Sequence, residues 1–228
     1  MPIGMPFSKD ISCLHFGLTS KCTLSCPECV RTMSNPTINT LWRDIKEQRQ
    51  IDWHQYRGVI KDLSYRSILF CGNWGDPIYY PDLIEFIAYI KTVTDVPIYI
   101  HTNGSYKDAD FWRQLGTVLQ PLDQILFSID GLLEDDQYRV NNDARSRQLG
   151  VQTLVSMPPK TRPLVVQKLL VFSYNENNIL KIIDQSRQLG FDVIRVEYPI
   201  VEENPHLEPS YRGTHFEVLF TKKAGHRE

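Results

Sequence analysis

Short apolar runs alternate with segments of helical spacing from Ile11 to Pro199, and this alternation constrains the fold more than any other feature. The runs ISCLHFGL (11–18), SILFCG (67–72), PIYIHTNG (97–104), DQILFSIDG (123–131), PLVVQKLLVFS (163–173) and DVIRVEYP (192–199) read as six strands. Helical spacing covers 52–63, with Asp52 as N-cap and Trp53, Tyr56 and Ile60 on one face. Pro81 opens a helix whose stripe is Leu83, Ile84, Ile87 and Ile90. A third helix spans 108–119 with Phe111, Leu115 and Val118 inward, and a fourth, interrupted by Gly150, lies within 142–157. A fifth runs over 175–190, with Ile179, Ile182, Ile183 and Leu189 inward and Gly190 at its stop.

Repeats of roughly 30 residues match one βαβ step. Strands this apolar predict a parallel sheet covered by helices on its outer side. The expected fold class is α/β, a partial TIM barrel of about (βα)6, short of the eight strands of a closed barrel. Residues 1–199 would form this core and residues 200–228 a tail, either an extra strand or a mobile cap.

Active sites of parallel α/β folds lie at the C-terminal ends of the strands, and the unusual residues collect there. Strand one leads into Cys22, Cys26 and Cys29. Strand two ends in Gly72, Asn73, Gly75, Asp76 and Pro77; strand three in Thr102 and Asn103. Strand four ends in Ser128 and Asp130, and strand six carries Arg195 and Glu197.

The cysteines are spaced C-x3-C-x2-C. Thiolates at this density suit zinc, copper(I) or an iron–sulfur cluster. Zinc wants four ligands, usually in paired C-x2-C units. The chain has no second pair, and His15 and His54 lack a characteristic spacing. Three thiolates on a four-iron cluster leave one iron open to a ligand. Cys13 and Cys71 lie in apolar runs and read as packed core residues.

The motif Cys22-x3-Cys26-x2-Cys29 after a first strand resembles that of the radical S-adenosylmethionine (radical SAM) enzymes. WGDP (Trp74 to Pro77) stands where that family has Gly-Gly-Glu-Pro, HTNG (101–104) is similar to its third-strand ending, and SIDGLLEDDQYR (128–139) resembles the fourth-strand segment of the SPASM and peptide-modifying branch. The resemblance covers about residues 11–199 and implies a [4Fe–4S] cluster on Cys22, Cys26 and Cys29. It implies S-adenosylmethionine on the open iron, cleaved to a 5′-deoxyadenosyl radical that takes a hydrogen atom from a substrate.

Expected roles follow from the resemblance. Carbonyls of the Gly72–Pro77 turn, with Asp76, would meet the methionine ammonium. Ser128 and Asp130 would bond ribose hydroxyls, and Thr102 and Asn103 would support cofactor or substrate. Arg139 would pair with the methionine carboxylate, and Val171 and Val196 would wall the adenine. Asp76 replaces the family's Glu, Trp74 its first Gly, and Glu28 an aromatic residue common before the third cysteine. The cysteine-rich extension of SPASM proteins has no counterpart here.

The substrate stays open between a peptide or protein and a small metabolite or nucleotide. A non-catalytic zinc- or cluster-binding module is the reading from another class. The resemblance implies flavodoxin or ferredoxin as electron donor. The net charge of 25 − 27 = −2 gives no signal for nucleic acid. No stretch reaches the roughly 20 apolar residues of a membrane span. A signal peptide is not evident, and five cysteines without a disulfide pattern predict the cytoplasm.

Overall fold

The computed structural model describes residues 11–33, 50–132, 136–201, 203–210 and 213–220. Seven strands among these residues form one sheet in sequence order: β1 (Leu14–Phe16), β2 (Ile68–Phe70), β3 (Ile98–Thr102), β4 (Gln124–Ser128), β5 (Leu164–Leu170), β6 (Val193–Glu197) and β7 (Phe216–Leu219). β1 to β6 are parallel. β7 runs antiparallel along β6, so part of the tail is the extra strand, one of the two expected forms. Among the described residues β1 and β7 are free edges, and the sheet is an arc rather than a closed barrel.

Among the described residues five helices cover the outer side: α1 (Arg57–Asp62), α2 (Leu83–Val93), α3 (Ala109–Val118), α4 (Ala144–Val155) and α5 (Ile179–Leu189). The first helical segment opens as a 3-10 turn, Trp53–Tyr56, with the Asp52 carboxylate accepting from the His54 N–H as its cap. Asp108 caps α3 through the Phe111 N–H, and Asp143 caps α4 through the N–H groups of Arg145 and Ser146. α5 ends where Gly190 takes φ +88°, a left-handed conformation that costs glycine little.

α3 departs from its expected face. Trp112 and Leu115 are fully buried, whereas Phe111 and Val118 are half-buried. The Trp112 ring rests against α4 at Gly150, where an added Cβ would stand 2.7 Å from the ring. The glycine that seemed to interrupt α4 is what lets Trp112 in.

The strands alternate cleanly. Ile98, Ile100, Ile125, Phe127, Val165 and Ile194 face the helices and are buried. Tyr99, His101, Lys168 and Arg195 point to the other side and are half-exposed. The covered face carries the main core, and the concave face a smaller buried cluster of Leu126, Val166 and Val193 with the polar residues beyond it.

Buried charges stitch the N-terminal ends of the strands. Asp123, just before β4, accepts from the Ile98 N–H, from Lys91 Nζ and from the Gln120 N–H, each at 2.7 Å. Asp192, just before β6, pairs with both Nη atoms of Arg162 at 2.5 and 2.9 Å and accepts from the Val165 N–H. These groups lie at the end opposite the thiols and hold the barrel rather than its chemistry.

Candidate active site

β1 delivers the chain into a loop fixed by its own backbone. The Cys29 N–H donates to the Cys26 carbonyl at 3.1 Å, and the N–H groups of Thr32 and Met33 donate to the Cys29 carbonyl. The Arg31 guanidinium donates to the carbonyls of Leu24 and Cys22 at 3.1 and 3.2 Å. So folded, the loop turns Cys22, Cys26 and Cys29 onto one cavity of about 300 Å3. Burial raises the Cys22 thiol pKa, with nearby Asp76 adding to the shift, and pushes Cys26 up to about 11. Among the described residues no three His, Cys, Asp or Glu side chains converge as the ligands of a single metal ion do. Thiols that bind different irons of a cluster stand further apart than that.

The turn after β2 seats this loop. A Cβ on Gly75 would lie 2.1 Å from the Thr19 carbonyl oxygen, and one on Gly72 would lie 1.8 Å from the Gly75 carbonyl oxygen. The close approach that demands glycine is therefore chain against chain. The Asp76 N–H donates to the Lys21 carbonyl at 2.8 Å, tying turn to loop.

Asp76 is buried and accepts three hydrogen bonds. They come from the Ile78 N–H (3.1 Å), Thr102 Oγ1 (2.8 Å) and the Asn103 N–H (2.6 Å). Desolvation still raises its pKa to about 6. Its visible work is to clamp the end of β2 to the end of β3. Asn103 then extends Nδ2 to within 3.5 Å of Cys22 Sγ.

Arg139 arrives from the segment after β4. Its Nε donates to Asp130 Oδ2 at 2.5 Å, and Nη1 lies 3.9 Å from Cys26 Sγ. Tyr138, its neighbour, stacks on Phe172 with ring centroids 4.4 Å apart. Asp130 is fully buried, and its other oxygen accepts from the Leu170 N–H at 2.7 Å.

The cavity wall gathers Gly72, Asn73, Gly75, Asp76, Thr102, Asn103, Ser128 and Arg139 around the three cysteines. Asp130 is not on that wall. It stands behind Arg139 and fixes it, which differs from the expected contact with a ribose. Val171 and Val196 are also displaced from their expected place: both are fully buried on the helix-covered side, packed with Ile182 of α5. Cys71 lines the cavity and Cys13 does not, and all five cysteines are free thiols. Residues 133–135 of the fourth-strand segment lie outside the described residues.

Sequence reasoning missed Arg31, His101, Tyr138 and Lys168 as wall residues. A signal existed for Lys168 and His101: each is a polar residue at an inward position of an otherwise apolar strand. Nothing local marks Arg31, whose partners are backbone carbonyls.

Fold and rim together define a class: an open parallel α/β arc that carries a three-thiol loop after its first strand. Among solved structures, "Native anSMEcpe with bound AdoMet" is similar over 85% of this chain and 54% of that one, at 15% identity and a TM-score of 0.59. Methylornithine synthase (PylB) is similar over 90% of this chain and 58% of that one, at 17% identity and a TM-score of 0.58. A structure of anSMEcpe with AdoMet and a Cp18Cys peptide bound gives a TM-score of 0.55 at 16% identity. The chain spans little more than half the length of these proteins. Neither a family model nor a curated protein matches its sequence. The likeness is one of fold, the partial barrel expected from the alternation of strands and helices.

Proposed function

We propose that this chain is a radical SAM enzyme. The observation that carries the reading is the single cavity shared by Cys22, Cys26, Cys29, the Gly72–Asp76 turn and Arg139. The donor set fits a [4Fe–4S] cluster: three thiols turned onto one cavity. A cluster bound there supplies the electron that splits S-adenosylmethionine into methionine and a 5′-deoxyadenosyl radical, which takes a hydrogen atom from the substrate.

The chain's own residues do the rest. Cys22, Cys26 and Cys29 hold the irons. Arg139, fixed by Asp130, offers its guanidinium to the methionine carboxylate and to the thiolate of Cys26. Carbonyls of the turn at Gly72 to Gly75 accept from the methionine ammonium. Ser128, on the wall at the end of β4, meets the ribose, and Thr102 and Asn103 keep the two strand ends in register beneath it. The segment after β6 covers the cysteine loop: Leu207 packs against Leu24 and Cys26, and Asn204 donates to Glu28. We read residues 1–199 as the core and residues 200–228 as a tail that covers the loop around Asn204–Leu207 and adds β7 to the core sheet.

Free thiols throughout support a reducing compartment, the cytoplasm, with flavodoxin or ferredoxin as electron donor. Among the described residues no helix is long and apolar enough to cross a membrane. The substrate we place in the concave lumen, open to a small molecule or a peptide side chain. The likeness of residues 128–139 to the SPASM branch, and the peptide in one similar structure, favour a peptide.

Anaerobic reconstitution tests the reading. The protein turns brown, binds about four irons and, with dithionite and S-adenosylmethionine, releases 5′-deoxyadenosine. A colourless protein that gives no 5′-deoxyadenosine overturns it.

A further inference from the structure

Beside the thiols, the concave face of the sheet is layered. Tyr99, Leu126, Val166 and Val193 pack as an apolar floor. Two residues further along the strands, the register sets Ser128, Lys168, Arg195 and Glu217 in one row across β4 to β7. Lys168 Nζ lies 2.8 Å from Oε2 of Glu197, and Arg195 Nε lies 2.5 Å from Oε1 of Glu217. His101 lines the same cavity as Lys168 and Ser128 and is half-exposed like Lys168.

A layer needed only for stability would repeat the apolar floor, because half-exposed ion pairs add little. The two sides of this layer also differ. Lys168, Ser128 and His101 line the cavity, and Arg195, Glu197 and Glu217 do not. On this side the wall thus offers an ammonium, a hydroxyl and an imidazole, and Glu197 and Glu217 are not part of it. The other charges of the wall are committed. Arg139 holds Asp130, Arg31 holds the cysteine loop, and Asp76 has three donors. The partner of Lys168 is itself 24% exposed in its side chain and can be exchanged.

We propose that the substrate carries an anionic group, a carboxylate or a phosphate, and that Lys168 binds it together with His101, releasing Glu197. The proposal rests on the radical reading for where the substrate lies, and it names the chemistry the lumen selects.

The test uses the full chain, anaerobically reconstituted, with its lysines 13C-dimethylated, a change that keeps the charge. The NMR signal of Lys168 is assigned by its loss in Lys168→Met. Inorganic phosphate, acetate and, as a cation control, tetramethylammonium chloride are titrated at constant ionic strength. We expect a saturable shift with phosphate or acetate and none with the control. The stronger of the two anions identifies which group is bound. Glu197→Gln, which frees Lys168, binds the anion severalfold tighter. Phosphate or acetate raises the unfolding temperature of the unmodified protein and not of Lys168→Met. No saturable shift, an equal response to the control, or unchanged affinity in Glu197→Gln overturns the proposal. Iron and 5′-deoxyadenosine are assayed on the same samples. A protein that binds iron and yields 5′-deoxyadenosine without an anion response sinks this inference alone. An anion response without iron sinks the radical reading and leaves the lumen site standing.

Discussion

Arg139 bridges a buried carboxylate and a thiol: Nε donates to Asp130 Oδ2 at 2.5 Å while Nη1 stands 3.9 Å from Cys26 Sγ. Asp130→Ala leaves the guanidinium without its buried partner. Removing one member of such a pair costs about 3–5 kcal/mol, so chemical denaturation should show a loss of that order. Arg139→Lys keeps the charge but not the planar fork. It should weaken S-adenosylmethionine binding by about tenfold or more, the worth of one charge-assisted hydrogen bond. Equilibrium binding to the reconstituted protein reads this. Wild-type affinity in Arg139→Lys would remove Arg139 from the cofactor site.

Gly75→Ala tests the contact between turn and loop. Its Cβ meets the Thr19 carbonyl oxygen at 2.1 Å, and backbone cannot step aside as a side-chain tip can. Overpacking of this kind costs about 1–3 kcal/mol or more. The displaced loop carries Cys22, so the reconstituted variant should also hold less iron. Gly150→Ala, against Trp112, is the control: it should lose comparable stability and keep its iron.

Burial, helped by Lys168 and Arg195, lowers the His101 pKa from 6.5 to about 4. Between those values the folded protein binds fewer protons than the unfolded chain, so stability rises with pH. The contribution is fully present above about pH 6.5 and is lost as pH falls toward 4. Stability, read from denaturation at a series of pH values, should therefore rise more steeply with pH over this window for the wild type than for His101→Gln. Parallel curves would show that His101 titrates normally.

Glu28 joins the cysteine loop to the segment beyond β6. Its carboxylate accepts from Asn204 Nδ2 at 2.6 Å and from the Glu203 N–H at 3.2 Å. Glu28→Ala leaves both donors without this acceptor, at a cost of about 1–3 kcal/mol, and should speed bleaching of the reconstituted protein in air. Glu28→Gln keeps an acceptor oxygen and should fall between. Equal bleaching rates in all three would show that the latch does not shield the site.

The architecture was legible in the sequence because periodicity reports burial. All six expected strands and all five expected helices form, with boundaries shifted by a few residues, and Gly190 ends α5 as read. The cysteine loop and glycine turn were legible because their residue types are rare and clustered. What escaped depends on long-range pairing. That Asp130 serves Arg139, that Asp76 clamps two strand ends, and that Val171 and Val196 face helices are facts of register and side-chain reach. Periodicity of two tells that two faces exist, and not which one is concave. In β5 and β6 both faces begin apolar, so only Lys168, Arg195 and Glu197 distinguish them.

The two-residue alternation has a consequence for how such a chain changes over time. Lys168 sits between Gln167 and Leu169, and Arg195 between Ile194 and Val196, so every position that meets the lumen is flanked by positions that hold the fold. Point substitutions on the concave side leave the helix-packed side intact, so new preferences can be sampled at little cost to folding. An inserted or deleted residue within a strand swaps the two sets at once, carrying charges under the helices and aliphatic groups into the lumen. Lineages of this fold should therefore diversify their inner wall by replacement within strands and confine changes of length to the loops.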